Sequence, residues 1–266
     1  MGARAAELAA VRAGLGTRGI DCVVAVTTSR LAGDGPLAGL IAERLPGGCR
    51  GSLDVDVESA GFCAALELAR YLIIGGSFRR VAVVGVERAR GVVDGRSSRV
   101  PFTGGAGAAV VTDAPEPGIG TVAWGGDRSR PRPFAPAPAT GSASPLVDSG
   151  TPRAQDPEAY RWLLEALLGV ARTALRRAGV TPADLAAFIP HQSNDRVLSA
   201  LVTALGLPAH VVVAPGAARI GNTSAVSIPM AMDTLLKETP RVSGGLALLL
   251  GYGAGVEYAA QVIRLP

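Results

Sequence analysis

Short apolar segments alternate with amphipathic helical ones along this chain, and the alternation runs twice. A strand–helix–strand order of that kind leaves few folds open, because successive strands become parallel neighbours with helices on the faces of the sheet. In the first round a helical pattern over residues 3–15 precedes the apolar IDCVVAVT. A helix over 37–45, the strand SLDVDV, a helix opening after Ser59 and the strand RRVAVVGVE follow. Residues 104–114, GGAGAAVVTDA, read as one more strand. The second round opens on PEAYRWLLEALLGVARTALRRAGV, whose apolar residues recur at helical spacing. It continues through LAAFIPHQSN, a helix over 198–205, HVVVAP and IGNTSAVSIPMAMDTLLKE, and closes on the strands GLALLLGYG and VEYAAQVIRL. The expectation is an α/β protein with mostly parallel sheets: a first half over 1–125, a proline-, serine- and alanine-rich connection over 126–155, and a second half over 156–266.

Composition narrows the function classes. Hydrophobic residues make up 48% of the 266 and charged ones 18%, which suits a buried core. No apolar run is long enough for a membrane span, and the N-terminus lacks the apolar stretch of an export signal. Three cysteines without metal-type spacing suit a reducing cytoplasm and suggest no metal site. The formal charge is +4, with Lys237 the single lysine among 26 basic residues. Those residues are scattered and lack aromatic interleaving, so nucleic acid is not an expected partner; a mildly positive surface would suit an acidic protein.

Three turns draw attention for their chemistry. Of the two histidines, His191 follows a strand ending in proline and precedes a helix, and open α/β sheets place their sites at such strand ends. His210 opens the segment HVVVAP and reads as structural. Asn222, in RIGNTSAVSIP, precedes Thr223 and Ser224, either of which can cap the next helix; an asparagine there serves a plain turn or donates to a carbonyl oxygen. Ser59, in VDVESAGFCAALELA, either caps the helix that follows or uses the helix N-terminus to stabilise charge as a nucleophile, for which it needs a base. A nucleophile elbow G-x-S-x-G is absent, since Val57 stands at the first glycine position. GGAGAA lacks the lysine of a phosphate loop, so close packing explains it better.

Taken together, IPHQSNDRVLSALVTALGLP, ARIGNTSAVSIPMAMDTLL and the closing GYGAGVEYAAQVIRL resemble β-ketoacyl-acyl-carrier-protein synthase III enzymes, of the thiolase fold. VESAGFCAALELA falls where that family has its nucleophile motif, and FTGGAGAAVV resembles its F-G-D-G-A-G-A strand. The resemblance implies a layered α/β/α/β/α core of two related halves. It implies catalytic roles for His191 and Asn222, with Ser59 on the position of the nucleophilic cysteine and Cys63 not the nucleophile. It further implies an oxyanion hole from the amides of Ser59 and Ala254, and Arg196 as the residue meeting an acidic carrier protein. Acyl-coenzyme A would be substrate, with no bound cofactor. The protein would be a homodimer joined through the strand at 81–86.

The departures from the family pattern are informative. Serine ionises poorly where cysteine gives a thiolate, so His191 is expected to act as base as well as donor. An oxyester intermediate reacts less readily with a carbon nucleophile, which favours acyl transfer to a carrier thiol or a hydroxyl. With His191 and Asn222 retained to hold a malonyl thioester, decarboxylative condensation with malonyl-carrier protein stays open. The starter-unit selection for polyketides that serine-bearing relatives are associated with fits either outcome. Glu58 stands where the family has a small residue, and Gly104 where it has aspartate. The family's chains carry roughly fifty further residues ahead of the first helix, whose loss would leave an unpaired sheet edge. The competing reading is a non-catalytic partner subunit or carrier-binding scaffold.

Overall fold

The computed structural model describes residues 1–16, 19–30, 33–89, 103–126, 157–192, 195–216, 219, 221–253 and 257–266. The connection expected over 126–155 and the amide of Ala254 lie almost wholly outside them, as does the side chain of Glu58. The strands are β1 (Cys22–Val26), β2 (Gly51–Val55), β3 (Arg80–Glu87), β4 (Gly105–Thr112), β5 (Ala123–Gly126), β6 (Leu185–Pro190), β7 (Val212–Val213), β8 (Leu246–Tyr252) and β9 (Glu257–Arg264). The helices are α1 (Gly2–Arg12), α2 (Leu37–Ala42), α3 (Gly61–Ile74), α4 (Pro157–Ala178), α5 (Asp195–Leu205) and, numbered here as the sixth, α6 (Ser227–Glu238).

Two sheets form, in the orders β2-β1-β3-β4 and β5-β9-β8-β6-β7. Reversed, the second reads β7-β6-β8-β9-β5, so its first four strands repeat the order of the first sheet. β4 ends the first sheet, whereas its counterpart β9 pairs antiparallel with β5. The sheets are mixed rather than mostly parallel: β1, β2 and β3 run parallel, as do β6, β7 and β8, while β4, β9 and β5 each pair antiparallel. Such pairing needs no crossover helix. All but the last residue of β5 lies within residues 1–125, yet the strand belongs to the second sheet, so the structural boundary falls ahead of it.

The strand sequences explain the layering. Along β1, Cys22, Val24 and Val26 face one apolar cluster while Val23 and Ala25 face another. Along β3, Val81 and Val83 alternate in the same way with Ala82 and Val84. A strand buried on both faces reads as a continuous apolar run. Ala6 and Ala10 of α1 and Ala38 and Ile41 of α2 cover the outer face of the first sheet. Leu163, Leu167 and Ala171 of α4 and Val197 and Leu201 of α5 cover that of the second. Between the sheets lie α3, through Phe62, Cys63 and Leu66, and α6, through Ile228, Ala231 and Leu235. The result is the expected five-layer α/β/α/β/α stack. Gly105 and Gly107 of β4 face α6 at close range: a Cβ at Gly107 would lie 2.9 Å from Pro229 Cβ, so tight packing accounts for the glycines of GGAGAA. At Gly104 a Cβ would come within 2.6 Å of the Ala89 nitrogen, which leaves no room for the family's aspartate with this backbone.

Two further expectations change. β3 is flanked by β1 and β4, so both its edges are hydrogen-bonded and it offers no edge to a second copy; β2 and β4 are the outer strands. His210 stands in a turn before the two-residue β7, its Nε2 3.1 Å from the Ala183 carbonyl oxygen. Leu249, fully buried on β8 in the central layer, is a test of this stack. Leu249→Ala should lower the unfolding free energy by about 2–5 kcal/mol in urea titration.

Candidate active site

β1, β2 and β3 run parallel, as do β6, β7 and β8, and the carboxyl ends of the strands supply equivalent positions in the two halves. Thr27 and Thr28 follow β1 as His191 and Gln192 follow β6. Ser59 lies in a single 3₁₀ turn, Glu58–Ala60, between β2 and α3; Ser224 opens the matching turn, Ser224–Val226, ahead of α6. Both turns lead into the two middle-layer helices, whose N-termini therefore face the same region.

The structure brings Ser59, His191 and Asn222 together, and Ser224 is what joins them. Ser59 Oγ lies 3.1 Å from Ser224 Oγ. The Ser224 N–H donates to Asn222 Oδ1 at 3.1 Å. The His191 imidazole lies near enough to the Ser224 backbone for that backbone to act on its pKa. All four side chains are buried, none more than 8% exposed. Ser224 has φ 48°, the only non-glycine residue with positive φ among those described. The left-handed region costs an L-residue about 1–2 kcal/mol, and the bond to Asn222 helps hold it there. Gly221, at φ 83°, supplies the preceding bend, and the Asn222 carbonyl accepts from Thr103 N at 3.0 Å.

Capping does not explain these residues. The N-cap of α3 is Ala60 and no side chain caps it, so Ser59 is not a cap; Thr223 and Ser224 make no capping bond to α6 either. With Oδ1 engaged by Ser224, the Asn222 amide keeps its N–H donors for a carbonyl oxygen. Gly251 of β8 runs against the Ser59 turn: a Cβ there would lie 3.0 Å from the Ser59 carbonyl oxygen and 2.9 Å from Ala60 Cα. Arg196, exposed in the first turn of α5, sits outside this group with its guanidinium 5.0 Å from the centre of the Tyr160 ring.

His191 Nδ1 lies 2.7 Å from Ser227 Oγ, and the Tyr252 ring packs edge-on against the imidazole at 5.0 Å between centres. Burial pushes the His191 pKa down to about 4, with the nearby Ser224 backbone acting the other way. The imidazole is therefore neutral near pH 7. No hydrogen bond joins it to Ser59, whose hydroxyl pairs with Ser224 instead. Burial raises the Cys63 thiol to about 12, so it is not a thiolate at neutral pH. Among the described residues no group of three His, Cys, Asp or Glu is placed to hold a metal, and no helix is long and apolar enough to cross a membrane.

Four residues of this region escaped the motif reading: Ser224 as the joining residue, Ser227 behind the histidine, and Thr28 and Glu87 at the ends of β1 and β3. The quoted RIGNTSAVSIP contained the first two, but capping explained Ser224 and nothing singled out Ser227.

Two stacked sheets of one order, with paired helices between them and buried polar turns at their carboxyl ends, form the thiolase-like fold. The crystal structure of the priming β-ketosynthase from the R1128 polyketide biosynthetic pathway superimposes with a TM-score of 0.86 at 36% identity, over 100% of this chain and 81% of that one. 3-Oxoacyl-[acyl-carrier-protein] synthase III from Aquifex aeolicus VF5 does so with a TM-score of 0.83 at 28% identity, over 99% and 83%. Residues 53–128 match the profile of 3-oxoacyl-[acyl-carrier-protein] synthase III, and 175–265 that of its C-terminal region. β-Ketoacyl-[acyl-carrier-protein] synthase III of Streptomyces lividans is 38% identical over 277 aligned positions, which span 100% of this chain and 80% of that protein. The chain belongs to the β-ketoacyl-[acyl-carrier-protein] synthase III family.

The depressed His191 pKa makes a stability prediction. Between pH 6.5 and about 4 the unfolded chain binds a proton that the folded one refuses, so stability falls as pH drops through that window. The loss from this residue should reach about 3 kcal/mol by the lower end. Urea unfolding of the protein and of His191→Asn across the window should show the parent losing more stability than the variant; parallel curves would contradict a buried neutral imidazole.

Proposed function

We propose that this chain is an acyltransferase that receives an acyl group on Ser59 from acyl-coenzyme A or an acyl carrier protein. It passes the group to a carrier-protein thiol or, with decarboxylation, to malonyl-carrier protein, in polyketide or fatty-acid-like biosynthesis. The single observation that carries this is the convergence of Ser59, His191 and Asn222 around Ser224, from segments far apart in sequence. Buried polar groups are costly unless they are paired, and a merely structural turn needs no such assembly.

In this reading Ser59 attacks the thioester carbonyl and its own amide, with that of Ala254, stabilises the oxyanion. The N-terminus of α3 adds favourable potential at the same place. Asn222 and neutral His191 polarise the carbonyl of the second substrate, holding a malonyl thioester as its enolate forms. The oxyester on Ser59 favours transfer to a thiol over carbon–carbon bond formation. Coenzyme A is a substrate here, with no resident cofactor. Exposed Arg196 is the basic contact for an acidic carrier protein. Three free cysteines fit a cytoplasmic protein. A homodimer would join through β2, an outer strand, where Leu53 is exposed.

Incubation with a panel of acyl-coenzyme A compounds, followed by intact-protein mass spectrometry, should give an acyl adduct that Ser59→Ala abolishes. No adduct with any donor would favour a non-catalytic scaffold. With both free-thiol carrier protein and malonyl-carrier protein supplied, carbon dioxide release should be slow relative to appearance of acylated carrier. Light scattering should report twice the chain mass, and Leu53→Lys should shift it toward the single-chain value, because a charge on an edge strand opposes pairing.

A further inference from the structure

A serine nucleophile needs a proton acceptor, and His191 makes no hydrogen bond to Ser59. The hydrogen bonds that leave Ser59 run the other way, into the first half of the chain. Ser224 Oγ, 3.1 Å from Ser59 Oγ, lies 2.9 Å from Thr28 Oγ1. Thr28 Oγ1 donates at 3.0 Å to Glu87 Oε1, and the Thr28 N–H donates to the same oxygen at 2.7 Å. Glu87 is only 3% exposed.

The chemistry of these groups sets a direction. A hydroxyl has one proton to donate, and a carboxylate has none. Thr28 gives its proton to Glu87, so in the next pair Ser224 must be the donor to Thr28. Ser59 must then be the donor to Ser224. Three aligned O–H groups thus point from the nucleophile to a buried carboxylate, leaving the Ser59 lone pairs turned away from the chain of donors.

Two independent features hold this line in place. Ser224 reaches both neighbours from a left-handed backbone conformation that its N–H bond to Asn222 secures. Thr28 and Glu87 each stand two residues beyond the last paired position of β1 and β3, Val26 with Gly85, so parallel pairing keeps them side by side.

We propose that Glu87, acting through Thr28 and Ser224, is the proton acceptor that activates Ser59. The proposal rests on the reading of Ser59 as the acylated residue. Glu87 is a positioning residue here, since it never touches substrate. As the Ser59 oxygen bonds to the thioester carbonyl carbon, its proton passes to Ser224, that of Ser224 to Thr28 and that of Thr28 to Glu87. The tetrahedral adduct collapses, the C–S bond breaks, and coenzyme A leaves as the thiolate with the electron pair. When the carrier thiolate attacks the ester, the C–O bond to Ser59 breaks. The proton then returns from Glu87 along the same line to the departing alkoxide. Donor thiolate and acceptor thiolate balance, and His191 and Asn222 remain free for the carbonyl.

A thiol supplies its own thiolate fraction at neutral pH, so it depends far less on such a base. The test therefore compares nucleophiles. Acylation rates are measured by rapid quench and intact mass, with acetyl-, propionyl- and hexanoyl-coenzyme A as probes, for the protein and for Ser59→Cys. Glu87→Gln, Glu87→Asp and the near-isosteric Thr28→Val are introduced into each. General-base contributions run to about 100-fold or more, so Glu87→Gln and Thr28→Val should slow acylation at least ~10-fold more in the serine protein than in Ser59→Cys. Glu87→Asp should recover part of the loss. A slowdown ratio below ~10 between the two backgrounds, whether from equal losses or from none, overturns the relay. If the unsubstituted protein forms no adduct, or Ser59→Ala still does, the acyl-serine reading itself fails and the relay with it.

Discussion

The site depends on one residue held in an unfavourable conformation. Ser224, at φ 48°, presents its backbone N–H to Asn222, its hydroxyl to Ser59 and Thr28, and its backbone to His191. An extended or right-handed residue at that position would break the geometry of several of these bonds together. The strain is small beside the burial around it, since Ala225, Val226 and Ile228 are each at most 1% exposed and anchor the turn in the central layer. Strain of this kind persists where the surroundings over-determine it, and such places are often functional.

Repetition of one topology in both halves makes that meeting possible. Each half follows one parallel strand, β1 or β6, with polar residues and enters a middle-layer helix through a 3₁₀ turn. Packing α3 and α6 between the sheets brings the two turns against each other. The halves then diverge in chemistry. The second contributes an imidazole and an amide, groups that hold a carbonyl oxygen. The first contributes the Ser59 hydroxyl and, at the ends of β1 and β3, a threonine and a carboxyl group.

Several features were legible in the residues themselves. Continuous apolar runs along CVVAV and RVAVVGVE marked strands, and the spacing of Leu163, Leu167 and Ala171 marked a helix with one apolar side. Ser59, His191 and Asn222 were identifiable because each stands on a strand-to-helix turn within a motif. The antiparallel strand β5 escaped notice because AWGG carries almost no periodic signal; it becomes a strand only where β9 offers a hydrogen-bonding edge. The interior place of β3 was equally hidden, since strand order is not written in any one segment.

Glu87 and Ser224 show where local information ends. By itself the chain determined its alternating strands and helices, its family and the three polar turns, because those follow from short-range periodicity and motif. Tertiary structure alone decided that Glu87, which ends an apolar strand and looks like its solvent-facing terminus, is buried beside Thr28 rather than exposed. It also decided that Ser59 pairs with a serine from the other half rather than with the histidine. Those choices are made by packing two sheets onto shared helices, a long-range constraint that no stretch of sequence expresses.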